Sequence, residues 1–179
     1  MLSRRIGPAE LRDLEPWHAE EVAAFFQRCG ADLYEWLPWE QFESADAVRG
    51  LLQGYADGRA MDRKRLYGLW IEGRLVGGTM FPSFSANAGT AEIGVFLAKE
   101  ARGQGIITQT VEAMIEWAFA GRGLRRLEWR CAPGNAPSRA IPERLGFTHE
   151  GTLRQSFQVR DTFQDLEVWS LLREEWSHG

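Results

Sequence analysis

The chain has 179 residues, 44% of them hydrophobic and 26% charged, proportions that argue against a disordered chain, a collagen-like repeat and a disulfide-framed miniprotein. One domain takes about 100–200 residues, so residues 1–179 are expected to form a single unit with a sizeable core. Lys and Arg number 21 against 25 Asp plus Glu, a formal net of −4, which argues against a broad nucleic-acid-binding face because phosphate binding needs a basic excess on one surface.

Met1–Pro8 carries two arginines but no apolar run behind them, so it is not read as a signal peptide. No stretch approaches the ~18 apolar residues of a membrane span. Cys29 and Cys131 stand far apart without C-x-x-C spacing, so no metal site is expected and both read as buried thiols of a cytoplasmic protein. The eight Trp are the unusual count, and core and pocket lining are both open to them.

Pro16, Trp17, Val22, Phe25, Phe26 and Cys29 recur at helical spacing, which predicts an amphipathic helix over about 15–29 ended by Gly30, with Trp17 in the core. Leu33–Trp39 is apolar and aromatic but interrupted by Pro38, so a short helix breaking into a loop is expected. Ser44 can cap a further helix with Val48, Leu51, Leu52 and Tyr55 on one face, before Gly58. After the basic loop Arg59–Arg65 the period changes. Leu66–Ile71 and Leu75–Phe81 around Glu72-Gly73-Arg74 predict a hairpin, and Ala91–Leu97 a third strand. Thr108–Phe119 returns to helical spacing, followed by a strand over Leu127–Cys131, a short helix over Ser138–Leu145, and closing strands at Thr152–Val159 and Asp165–Leu172. Trp117 and Trp129 fall on apolar periods and read as core. The order predicts a mixed α/β domain, helices first, in which the strands flanking Leu97–Leu127 are parallel neighbours.

Between the third strand and the next helix lies Arg102-Gly103-Gln104-Gly105-Ile106-Ile107-Thr108. Two glycines permit a tight turn, and the first amides of the helix are unpaired donors at the positive end of its dipole, an arrangement suited to a pyrophosphate. Taken alone, a G-x-G before a helix describes an ordinary turn equally well. No Gly-Lys-Ser/Thr occurs and the third glycine of a dinucleotide fingerprint is missing.

The turn resembles the acetyl-CoA signature Gln/Arg-x-x-Gly-x-Gly/Ala of the GCN5-related N-acetyltransferases (GNAT), matching at Arg102 and Gly105 and departing at Ile107. Asn135-Ala136-Pro137-Ser138, followed by Gly146-Phe147, is similar to the family's second element. Glu35–Trp39, Ala91–Gly94, Gly105–Thr108, Arg130-Cys131 and Glu150–Gln155 further resemble the RimJ/RimL branch, which modifies the N-terminal α-amine of ribosomal proteins. The resemblance covers roughly residues 5–176. It implies one GNAT domain with a mostly antiparallel sheet, a central splayed parallel pair and flanking helices. It also implies acetyl-CoA as co-substrate without a metal, an amine acceptor as partner, and a homodimer.

Carried over by position, the resemblance assigns the pantetheine arm to the backbone of Val95, Phe96 and Leu97, and the pyrophosphate to Arg102, Gly103, Gln104, Gly105, Ile106 and Ile107. It assigns a cofactor contact to Asn135 and the acid that protonates the leaving thiolate to Ser138, Pro142 standing where other members have a tyrosine. From the residues alone Ser138 reads as a helix cap. Phe157 occupies the position where the branch implies a basic carboxylate, which leaves Glu92, Asp161, Asp165 and His149 as candidate bases; Glu92 is taken as the catalytic one. Trp36 and Trp39 are candidates for choosing the acceptor. The run Arg122–Arg126 reads as solvated surface, or as a contact for the adenosine phosphate.

An α-amine of pKa roughly 7.7–8.0 is about a tenth neutral at pH 7, whereas lysine at about 10.4 is neutral in less than one part in a thousand. A chain short of a base therefore favours an α-amine. The alternatives are a small-amine acetyltransferase acting on an antibiotic or aminoacyl compound, and a non-catalytic acyl-CoA-binding module.

Overall fold

A computed structural model describes residues 2–176, and the side chains of all of these except Glu40 and Gln41. Two short strands, β1 (Arg4–Ile6) and β2 (Ala9–Asp13), precede any helix, so the expected helices-first order is corrected. The signal was a brief alternation in which Ala9 and Leu11 are buried while Glu10 and Arg12 are exposed, too short to stand out from a loop.

Helix α1 spans Ala19–Leu33, after a single tight turn at Pro16–His18. It starts later than its apolar period suggests, and Trp17, left in that turn, is 76% exposed rather than core. Gly30 does not end the helix. A Cβ there would fall 2.3 Å from the ring of Tyr34, so the missing side chain lets that ring fold back over the last turn. Helix α2 spans Ala45–Ala60, and Ser44 caps it by accepting from Ala47 N.

The remaining elements are β3 (Arg65–Ile71), β4 (Arg74–Phe81), β5 (Phe84–Ser85), β6 (Thr90–Leu97), α3 (Ile106–Glu116), β7 (Arg126–Cys131), α4 (Ala136–Arg144), β8 (Thr148–Val159) and β9 (Thr162–Leu172). Among the described residues the strands form one sheet in the order β1-β2-β3-β4-β6-β7-β9-β8, with β5 added beside β6. Only β6 and β7 are parallel within it, as the crossover length predicted.

Two cores flank the sheet. Helix α3 contributes Ile106, Val111, Met114 and Ile115 to one, together with Ile93, Trp129 and Trp169. Helices α1 and α2 contribute Phe25, Phe26, Val48 and Leu52 to the other, against Leu66, Met80 and Phe96. Residue alternation along β6 therefore divides its side chains between the two faces. Trp129 is fully buried, and Trp117 packs half-buried against the first core.

Candidate active site

The sheet is held together differently on the two sides of β6. Toward β7 the pairing runs from Thr90↔Arg126 to Ile93↔Trp129 and stops; toward β4 it runs from Met80↔Gly94 to Gly77↔Leu97. The half of β6 that holds Val95, Phe96 and Leu97 thus has a free edge where β7 has diverged, and a free strand edge is a row of available amides and carbonyls.

That edge leads into the glycine turn. Gly103 and Gly105 take φ of +77° and +71°, conformations a side chain resists, and Gly105 forms the N-cap of α3. The first helical bond is Gln109 N to Gly105 O at 3.1 Å. Among the described residues the amides of Ile106, Ile107 and Thr108 find no acceptor within the chain, which leaves them for an anion at the positive helix end. Arg102 stays exposed with Nη2 3.3 Å from Leu97 O. Ile106 is buried, and Ile107, the departure from the signature, is half-buried against the core. These donors fit a pyrophosphate.

Asn135 and Ser138 lie where β7 gives way to α4. Asn135, not Ser138, is the cap: its Oδ1 accepts from Ser138 N at 3.2 Å. Ser138 therefore sits inside the first turn with its hydroxyl free of capping duty and close enough to Cys131 to bear on its thiol. Burial pushes the Cys131 thiol up to about 11, Glu167 adds to the rise, and Ser138 opposes it, so at neutral pH the sulfur is a neutral thiol. Pro142 withholds a donor from the carbonyl of Ser138, and α4 is accordingly short at nine residues, though unbroken.

Glu92 projects on the opposite face of the sheet. Burial holds its carboxyl above the usual glutamate value, Arg130 opposes that and Glu128 adds to it. Arg130 Nε is 3.9 Å from Glu92, while its Nη2 is 3.0 Å from Glu128. Tyr55 of α2 faces the same carboxylate; burial and then the charge of Glu92 push its phenol up to about 12. A carboxyl poised to take up a proton is what a general base requires.

Other base candidates are otherwise engaged. Asp165 Oδ1 accepts from Gln155 N at 2.8 Å and holds Gln155 at φ +48° in an irregularity of β8 between Leu153 and Phe157. His149 is exposed with its ring 4.9 Å from that of Trp169, and Asp161 is exposed at the β8–β9 turn. Phe157 is half-buried opposite Gln164.

The two tryptophans of the α1–α2 connection part ways. A Cβ on Gly134 would lie 3.5 Å from the Trp36 ring, so Trp36 closes over the β7–α4 loop. Gln164 Nε2 donates to Glu35 O at 3.2 Å, tying the same connection to β9. Trp39 instead meets Phe26 and Phe96 edge-on at 5.7 and 5.3 Å in the second core.

Arg122–Arg126 lies at the wrong end for an adenosine phosphate. Arg122 pairs with Asp62 and Arg126 with Glu150 and Glu128, and all of α3, about 16 Å at 1.5 Å per residue, separates them from the glycine turn. Arg144 is nearer, donating to Thr108 Oγ1 at 3.0 Å beside a groove of about 880 Å³ that also contains Gln109 and Trp176. Sequence reading also missed Tyr55 and Arg130 beside Glu92, and the Arg139–Glu167 pair behind Ser138. None has a spacing signal; only the strand register assembles them.

A family profile described as acetyltransferase (GNAT) domain matches residues 11–148. The chain belongs to the GNAT acetyltransferase family, whose acetyl donor is acetyl-CoA. It is 36% identical to the putative ribosomal N-acetyltransferase YdaF of Bacillus subtilis, over 93% of this chain and 92% of that one. It is 30% identical to the ribosomal-protein-serine acetyltransferase of Escherichia coli, over 77% and 78%. A solved structure of RimL, a ribosomal L7/L12 α-N-protein acetyltransferase in complex with coenzyme A, superimposes with a TM-score of 0.86 over 94% of this chain and 96% of that one; at 24% identity it is a match of fold.

Proposed function

We propose that this GNAT enzyme acetylates a protein N-terminal α-amine, of the kind its ribosomal-protein relatives are named for, and that it does so in the cytoplasm. The observation that carries the reading is the free edge of β6. It runs from the unpaired amides of the glycine turn back to where β6 and β7 part, with Ser138 in the helix that follows β7 and the desolvated Glu92 one residue before the last β6–β7 pair. Acetyl-CoA supplies an activated thioester. The amides of Gly103–Thr108 and Arg102 would hold its pyrophosphate, and Val95–Leu97 its pantetheine arm.

Glu92 then takes the proton of the acceptor nitrogen as that nitrogen bonds to the carbonyl carbon. Ser138 Oγ gives its proton to the sulfur as the C–S bond breaks, and solvent restores it. With Phe157 in place of a second carboxylate, one desolvated base suits an amine that is already partly neutral at pH 7. Buried, unpaired Cys29 and Cys131 suit a reducing compartment, and no helix of the described residues is long and apolar enough to cross a membrane. The uncovered edge strand β8, with its Leu153 and Phe163 of the adjoining β9 exposed, supports a homodimer.

Release of free coenzyme A, measured against N-terminal peptides, lysine side chains and small amines, tests the reading. We expect N-terminal peptides to be preferred and Ser138→Ala to lower kcat by about 100-fold. Faster acetylation of lysine than of a matched N-terminal amine overturns it. The closing of Trp36 over Gly134 favours a second reading, a small amine, which a preference for free amino compounds would establish. Tight acetyl-CoA binding without turnover would leave a binding module.

A further inference from the structure

Ser138 can serve the leaving sulfur only if the first turn of α4 is held against the end of β7, and little in α4 itself ensures this. Nine residues are too few for an independently stable helix, and Pro142 removes one of its bonds. Behind it, Glu167 of β9 lies directly across from Cys131 in the strand register and is buried at 8% exposure. Its Oε2 accepts from Trp169 Nε1 at 3.1 Å and lies 3.1 Å from Arg139 Nε. Arg139, next in sequence to Ser138, reaches the exposed Glu143 with its other end at 3.2 Å.

Along that face of β9 the neighbours Trp169 and Leu171 are core residues. A carboxylate there costs desolvation and is poor evidence for stability as such; a buried pair of this kind is better explained by fixing geometry. We propose that Glu167, acting through Arg139, is a positioning residue that fixes the first turn of α4 so that the Ser138 hydroxyl meets the reacting sulfur. This rests on the acid role assigned to Ser138. The sheet supplies the rigid end of the clamp, since Glu167 sits in the continuous β7–β9 pairing, and the helix supplies the movable end.

Glu167→Gln is the clean test. Its amide oxygen can still accept from Trp169, and Arg139, 42% exposed and paired with Glu143, is not stranded. Since small misplacements of a catalytic group cost one to two orders of magnitude, kcat should fall about tenfold or more. The KM for acetyl-CoA should stay within about twofold, because the glycine turn on α3 is untouched. In a Ser138→Ala background the same substitution should cost nothing further in kcat, because it acts through the lost hydroxyl.

An unchanged kcat in Glu167→Gln overturns the proposal, and so does an equal further loss in the Ser138→Ala background. If Glu167→Gln fails to fold, Arg139→Lys decides by the same two readouts. Full activity of Ser138→Ala by itself would instead overturn the acid role and leave Glu167 with no group to position.

Discussion

Two arginine–carboxylate clusters, built from the same residue types, sit on this sheet and do opposite things to their acids. In the first, Asp62 receives both Arg65 and Arg122, whose guanidinium groups lie over the rings of Phe84 and Trp117. Burial tends to raise the Asp62 carboxyl, but the two arginine hydrogen bonds outweigh it and hold the group below the usual aspartate value. In the second, Glu92 shares one more distant arginine, Arg130, with Glu128, and burial wins. What decides between a structural clip and a proton-accepting site is the ratio of donors to carboxylates at hydrogen-bond distance.

The largest expected effect falls on the second cluster. Glu92→Gln should lower kcat by about 100-fold or more, the usual contribution of a general base, while the fold persists because Arg130 retains Glu128. Steady-state kinetics beside a thermal melt checks this, and activity within about threefold of the parent would remove Glu92 from the mechanism. The parent carries a pH signature as well. A carboxyl raised in the folded state binds protons more tightly there than when unfolded, so stability falls as pH climbs from the ordinary glutamate value through the folded one. That slope should vanish in Glu92→Gln.

Asp62→Asn should do the reverse: full kcat, reduced stability. It leaves Arg65, whose side chain is only 7% exposed, short of its charged partner, at a cost of roughly 2 kcal/mol. Because the Asp62 carboxyl is lowered by folding, its contribution is present above the ordinary aspartate value and lost as pH falls through the folded one. Denaturant midpoints of parent and variant should therefore converge in acid. A fall in kcat without loss of stability would mean that the clip reaches the chemistry.

The sequence made the parallel crossover and the glycine turn legible because each is local: a period of two or 3.6, two glycines at fixed spacing. It misplaced the α4 cap by three residues, reading Ser138 where Asn135 holds the turn. It gave no access to Trp17 in its turn, to β1, or to the partners of Glu92. Trp17 misled because its apolar period held while the helix began two residues later. Asp62 and Arg122 stand 60 positions apart, and Arg139 and Glu167 meet only through the β7–β9 register, which no spacing records. Charged runs were the least readable feature. Arg59–Arg65 reads as a basic loop and Arg122–Arg126 as solvated surface or a phosphate contact in one dimension, yet the fold commits much of their charge to Asp13, Glu15, Asp62, Glu128 and Glu150.

The smallest expected effect is the most direct test of the ratio that separates the clusters. Arg130 is 39% exposed, and its removal leaves Glu128 paired with Arg126 at 3.1 Å, so Arg130→Gln should neither unfold the chain nor strand a charge. It does remove the one group that lowers the Glu92 carboxyl, with Glu128 and Tyr55 left facing it. Because the base must be deprotonated to act, activity rises with pH through its titration, and the acid limb of kcat/KM should move to higher pH while the plateau changes by less than about threefold. Added salt should shrink the difference between parent and variant, since the lost interaction is screened at a partly exposed site. An acid limb that stays in place would show that Arg130 serves Glu128 alone, leaving the ionisation of Glu92 to burial.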